Sequence, residues 1–228
     1  MQFKQMKMTK EKFGYGAVFH VLKYSMINHI TFYKELQGLT VTMDTLNKDY
    51  LTLGEEFHAR FLSEEELYNL ADDPSSEISK SFLELNLPKG DSCYAIMQGE
   101  TLASYGWYSD KPTHISADLE LHFNPEWIYM YKGYTLPAFR GKRLHAIGMA
   151  RSLQAFTEKG YKGIISYVET NNYPSLRSCD RMGYKNFGKV RIFKGLSDYH
   201  IRTEPACESF GFTVKEISDA HDPSGKTG

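Results

Sequence analysis

Apolar and polar positions alternate along this chain in two distinct rhythms, and the switches between them mark a series of elements. Val18, Leu22, Met26 and Ile30 recur at helical spacing, which predicts an amphipathic helix packed on its own domain or on a dimer partner. "LTVTMDTL" follows as a candidate strand, and "HARFLS" (58–63) reads as a short one. Ser63 with Glu66 gives a capping-box start to the helix "EEELYNLADD". A second helical segment, "SEISKSFLELNL", is stopped by Pro88 and Gly90. "DSCYAIMQ" and "TLASYGWYS" are β-rich runs separated by Gly99 and Glu100, a hairpin signal. After a looser stretch (110–125), "EWIYMYKGYTLP" predicts a strand ending at Pro137. Ala146, Met149, Ala150, Leu153 and Phe156 form the buried stripe of a helix over residues 142–159. "GIISYVET" is a continuous apolar strand of the kind found inside a sheet. "YPSLRSCDRM" predicts a short helix ending at Gly183, "FGKVRIFKG" and "ESFGFTVKEI" two further strands, and "DAHDPSGKTG" a frayed tail.

This order describes a mixed α/β layer, a sheet flanked by helices. Residues 1–45 read as an N-terminal extension, 46–218 as the main domain and 219–228 as a flexible tail. At 228 residues the chain can bury a core without disulfides or a metal. Its cysteines, Cys93, Cys179 and Cys207, are odd in number and far apart. That argues against a disulfide framework or zinc knuckle and fits a reducing, cytoplasmic setting. A formal net charge of −1 leaves no overall electrostatic footprint for nucleic acid. Lys4, Lys7, Lys10 and Lys12 ahead of an apolar run superficially suggest a signal peptide. However, His20, Lys23, Asn28 and His29 interrupt that run, and no small-residue cleavage site follows. The segment is also too polar to span a bilayer, and packing against protein is favoured over docking on a membrane surface.

The chemistry concentrates in "TLPAFRGKRLHAIGMARSLQAF" (135–156), where a strand ends, a cationic turn follows and a helix begins. Unpaired amides and the positive end of the helix dipole favour an anion there. Arg140, Lys142 and Arg143 add cations suited to phosphate oxygens. Cations at a helix N-terminus oppose the dipole, so a bound anion would relieve their cost.

The stretch "TLPAFRGKRLH" resembles the cofactor-binding motif of the GNAT superfamily of N-acetyltransferases: Arg or Gln, two residues, Gly, one residue, then Gly or Ala. "NNYPSLRSCDRMGY" is similar to that family's second motif, with Asn172, Ser175, Gly183 and Tyr184 in its places. The resemblance covers residues 55–217. It implies a mostly antiparallel sheet splayed between two parallel strands, those ending near Pro137 and Glu169. Pantetheine would lie in the gap against the backbone of Tyr134, Thr135 and Leu136. The pyrophosphate of acetyl-CoA, or another acyl-CoA, would rest on Arg140, Gly141, Lys142, Arg143, Leu144 and His145. Asn172 and Ser175 would flank it from the other side. Arg143 and His145 depart from the pattern, because they stand where the family has small residues. Cys179 stands where many relatives carry a tyrosine acting as general acid toward the departing thiolate, so the acid is unassigned.

The activity implied is transfer of an acyl group, acetyl first, to a primary amine of a small molecule or peptide by direct attack. The Leu136 amide would polarise the thioester carbonyl. Glu169 is the candidate base, or an ordinary strand-end carboxylate. His122, Tyr129 and Tyr131 are candidates for the acceptor pocket, in a segment that also holds Glu120 and Glu126. No metal-ligand spacing and no Ser-His-Asp order is present, so no metal is assigned. Two alternatives stay open: a donor carried on an acyl carrier protein, giving a longer-chain product, and a non-catalytic CoA-binding module.

Overall fold

In the computed structural model, residues 3–196 and 198–217 are described, and the tail read at 219–228 lies outside them. The first half of the chain runs α1 (Phe3–Ile30), β1 (Tyr33–Val41), β2 (His58–Phe61), α2 (Glu64–Ala71), α3 (Lys80–Asn86), β3 (Ser92–Gln98) and β4 (Thr101–Ser109). Next come β5 (Thr113–His114), β6 (Leu119–His122), β7 (Ile128–Thr135), α4 (Leu144–Glu158) and β8 (Ile164–Glu169). The last elements are α5 (Tyr173–Met182), β9 (Lys185–Lys194), β10 (Tyr199–Thr203) and β11 (Thr213–Glu216). Eight strands form one sheet, ordered β10-β9-β1-β8-β7-β4-β3-β2, while β11-β6-β5 form a small second sheet.

β7 and β8 run parallel, and their pairing covers only Ile128–Ile164 and Tyr129–Ile165. Beyond that point β7 stays with β4 as far as Thr135, and β8 stays with β1 as far as Glu169. The two C-terminal halves therefore part and leave a gap inside the sheet. A bulge accompanies the parting: Trp107 pairs with Lys132 and Tyr108 with Met130, which leaves Tyr131 as the extra residue of β7. An inserted residue bends its strand and raises the local twist.

The stripe of α4 is buried as its periodicity predicts, against Leu39, Val41, Ile128 and Ile164 on one face of the sheet. The other face buries Leu36, Tyr129, Ile165, Val190 and Ile192 under Leu119, Leu121, Phe212 and Val214. That second layer explains one departure from the sequence reading. "ESFGFTVKEI" is not a strand of the main sheet, because a 3-10 turn (Pro205–Phe210) carries the chain across to pair β11 with β6. A strand at β10, hairpinned onto β9, went unread.

Residues 1–45, read as an extension, instead contribute β1 to the interior of the sheet, hydrogen-bonded to β8 on one side and β9 on the other. α1 is kinked at Gly14 (φ 82, ψ 179), a conformation essentially reserved for glycine. After the kink, Ala17 and Tyr24 are buried and His20 Nδ1 lies 2.9 Å from Tyr173 Oη. The expected packing of Leu22, Met26 and Ile30 on their own domain is not found, since they are 42%, 63% and 81% exposed. No helix among the described residues is long and apolar enough to cross a membrane.

Candidate active site

The gap between β7 and β8 presents backbone groups that the sheet does not use. The Leu136 amide, read from the sequence as the oxyanion donor, instead donates to the Ala103 carbonyl of β4 at 3.0 Å. Antiparallel pairing alternates, so the Tyr134 N–H points the same way, while the N–H groups of Thr135 and Gly133 point into the gap. The Thr135 carbonyl, also on that side, accepts from Arg140 Nε at 3.1 Å. At the base of the gap, Ser166 Oγ donates to the Met130 carbonyl at 3.2 Å and bridges the parting strands.

At the open end, Arg143 is the N-cap of α4 with φ 61 and ψ 16, and no side chain caps the helix. A left-handed backbone costs a non-glycine residue about 1–2 kcal/mol. Arg143, where the resembled motif has glycine, thus adopts a backbone conformation that favours glycine. The first intrahelical bond runs from Ile147 N–H to the Arg143 carbonyl, so the amides of Leu144, His145 and Ala146 have no acceptor from within the helix. They adjoin a cavity of about 540 Å³ lined by Arg143, His145, Ala146, Ser178, Arg181 and the loop residues Asn47 and Tyr50. None of these is acidic, and two are guanidinium groups facing a helix N-terminus, an arrangement suited to a phosphate or diphosphate. Arg181 was not among the expected residues, since its charge on α5 has no sequence link to the turn.

The basic turn is divided in use. Gly141 (φ 86) carries the chain round and is exposed. Lys142 Nζ sits 5.2 Å from the Phe57 ring centroid, on the β2 side. The Arg140 guanidinium lies 5.7 Å from the Tyr134 ring centroid, across the mouth of the gap. His145 lines the cavity, while its ring packs toward β7: a Cβ added to Gly133 would overlap the His145 ring and meet the Met130 methyl. Burial pushes the imidazole pKa down, so the ring is neutral at neutral pH. The sign of the linkage follows. As pH falls below the ordinary histidine value of about 6.5, the unfolded chain takes up a proton that folded His145 refuses. The fold loses stability through that window, down to the folded value, and the loss then levels off. Melting curves between pH 8 and 5 should therefore show a smaller acid-side drop for His145→Gln than for wild type; identical drops would contradict a buried, neutral ring.

On the β8 side, Asn172 Oδ1 accepts from the Ser175 N–H at 3.3 Å as the cap of α5. Both residues line a cavity of about 460 Å³ together with Tyr167, Val168 and Glu169. Glu169 is not a free carboxylate. Lys34 Nζ donates to Oε1 at 2.9 Å and Tyr24 Oη donates to Oε2 at 3.0 Å. Burial first, and then the Glu169 charge, push the Tyr24 pKa up, so this hydroxyl remains a donor. Tyr24 and Lys34 come from α1 and β1 and were missed. The recurrence of Ala17, His20 and Tyr24 on one helical face was the available signal.

Of the acceptor candidates, Tyr129 and Tyr131 pack together and His122 lies apart on the second sheet. Tyr129 is a core residue, 2% exposed, with its ring centroid 5.9 Å from Tyr131 and 6.3 Å from Tyr167. Tyr131 Oη donates to Asp91 Oδ2 at 2.7 Å. His122 belongs to the second sheet, where β6 turns Leu119 and Leu121 inward, leaving His122 on the other face at 2.9 Å from Glu120. Cys179 is half-buried, and burial pushes its thiol up to about 11, so it is a packed thiol rather than an acid. No group of three or more His, Cys, Asp or Glu side chains that could hold a metal occurs among the described residues.

No family model matches the sequence, and no curated protein matches it. Solved structures do. A GNAT-family acetyltransferase from Colwellia psychrerythraea superposes with a TM-score of 0.50 at 10% identity, covering 75% of this chain and 61% of that one. A GCN5-related N-acetyltransferase-like protein from Streptococcus suis gives 0.49 at 13% identity, with 81% and 68% covered. A GCN5-related N-acetyltransferase from Kribbella flavida gives 0.49 at 14%, with 83% and 66% covered. This chain thus spans about two thirds of their length or less. The splayed parallel pair inside a mostly antiparallel sheet is the GNAT acetyltransferase fold, and this chain has it.

Proposed function

We propose that the protein is an N-acyltransferase, moving an acyl group, acetyl first, from acyl-CoA to a primary amine of a small molecule or peptide. The observation that carries this is the uncapped N-terminus of α4, with Arg143 and Arg181 beside it, opening onto a gap into which the Gly133 and Thr135 amides point. The donor's diphosphate would sit on the helix amides and the two guanidinium groups, and its pantetheine arm would hydrogen-bond to β7 like an added strand.

In the reaction, the neutral amine attacks the thioester carbon, a C–N bond forms, and the carbonyl oxygen gains charge that one of the two gap-facing amides, Gly133 or Thr135, stabilises while the other, about 7 Å along the strand, holds the arm. The C–S bond then breaks, and the electron pair leaves on sulfur. The His145 imidazole, neutral and set against Gly133, takes the proton from nitrogen and passes it to the departing thiolate. Glu169, with Tyr24 and Lys34, lies at the end of β8 beside the gap and orients the incoming amine.

A non-catalytic CoA-binding protein is the second reading. It is favoured by Cys179, a packed thiol with its pKa pushed up by burial, at the place where a general acid would be expected. Thermal shift with acetyl-CoA tests donor binding: at 100 times Kd, binding stabilises by about 2.7 kcal/mol. Thiol release across an amine panel then separates an enzyme from a binding module, and turnover only with an acyl-carrier thioester would change the donor. Arg140→Glu should weaken acetyl-CoA binding at least tenfold, and Glu169→Gln by less than threefold, while the latter raises KM for the amine. Equal effects of the two on acetyl-CoA affinity would overturn these roles.

A further inference from the structure

Helix α1 beyond its kink is apolar on two opposite faces. One face, with Ala17, His20 and Tyr24, is fixed to the body of the protein. The other presents Tyr15, Phe19, Leu22, Met26 and Ile30, with exposures of 74%, 71%, 42%, 63% and 81%. A helix apolar all round belongs in an interior. The spacing from Tyr15 to Met26 is four, three, four, which is the seam that pairs one helix with another. At Ile30 the seam runs into an apolar hollow formed with Ile27 and the β9–β10 connection, where Phe193 is 42% exposed and Leu196 wholly so.

We infer that this face is the contact of a two-fold homodimer, in which α1 packs antiparallel against the α1 of a second copy. Two observations select a second copy over other occupants. The first is area. Seven side chains of roughly 200 Å² each, weighted by their exposures, present on the order of 900 Å², and one partner in a standard interface buries about 800 Å². The second is self-complementarity. A two-fold axis near Leu22 sets Phe19 against the partner's Met26, Tyr15 against the partner's Ile30, and the two Leu22 side chains together. Each ring then meets an unbranched or branched aliphatic, as an isologous contact requires. A lipid surface fits less well, because residues 15–30 hold a single formally charged side chain, Lys23. Helices that lie on membranes carry many more cations on the polar face.

Sedimentation equilibrium of the full chain at 1–100 μM tests the inference. Wild type should run at twice the 26.2 kDa chain mass. Phe19→Glu with Met26→Glu should be monomeric over the same range, a loss of at least 100-fold in dimer affinity, with an unchanged far-ultraviolet spectrum because both side chains are exposed. Mild oxidation of Phe19→Cys with Met26→Cys should give a crosslinked dimer, whereas Phe19→Cys alone should not. A monomeric wild type, with or without binding to anionic vesicles, overturns the inference. So does a dimer that survives both glutamates. A Phe19→Cys crosslink in the single variant overturns the antiparallel arrangement.

Discussion

Arg143→Glu combined with Arg181→Glu should reduce affinity for acetyl-CoA by at least two orders of magnitude and leave the fold intact. The two residues are exposed, lie on different helices and meet only across the cavity at the N-terminus of α4. Hydrogen bonds to a charged partner contribute about 1.5–3 kcal/mol each. Losing two of them, and adding two like charges next to a diphosphate, removes at least the ~2.8 kcal/mol that a 100-fold change represents. Single reversals should each cost about tenfold, and the pair should be more than additive, because both address one anion. Titration calorimetry measures this directly, with Lys185→Glu as a control whose charge change equals that of each single reversal, away from the cavity. Affinity of the double variant within threefold of wild type would remove the diphosphate from this seat.

Such a test could not have been designed from the turn alone. Arg143 was legible because local sequence sets it at the start of a helix, and the stripe of Ala146, Met149, Leu153 and Phe156 fixes where that helix faces. Arg181 was not, because its nearness to Arg143 depends on how α5 packs beside α4. The same reason separates what was read from what was missed elsewhere. The hairpin at Gly99 and the capping box at Ser63 are local, and both are found. β1 pairs with strands more than 120 residues away, and nothing in "YKELQGLTV" announces those partners. Glu169 looked like a free carboxylate because Tyr24 and Lys34 reach it from 145 and 135 residues away. The bulge at Tyr131 hid the orientation of the amides after it. Periodicity cannot reveal an inserted residue, yet that residue decides that Gly133 and Thr135, rather than Tyr134 and Leu136, face the gap.

Gly133→Ala is the second large effect expected, and its suppressor makes it specific. The added methyl would overlap the His145 ring, so the imidazole must swing or β7 must shift. A displaced β7 moves the Gly133 and Thr135 amides, and loss of a single oxyanion donor typically costs about 100–1,000-fold in kcat. The variant should therefore fold, since Gly133 lies at the exposed edge of the gap, but lose at least 100-fold in acyl transfer. Combining it with His145→Gly removes the nearest overlap and leaves only the flexible end of Met130 to yield. Acetyl-CoA affinity, which the displaced β7 should also weaken in Gly133→Ala alone, should then return to within a few-fold of wild type. The rate should not return, because the double variant lacks the imidazole through which the proposed proton route to sulfur runs. His145→Gly alone should accordingly bind acetyl-CoA as tightly as wild type or more so, with kcat lowered about 100-fold, the usual scale for a general acid–base group. A thioester with a more acidic thiol should recover much of that loss, because its thiolate leaves without help. If His145→Gly keeps full turnover, the ring is a filler of the gap and the proton travels by another route. If Gly133→Ala is silent both alone and in combination, the gap between β7 and β8 is not where the acyl group reacts.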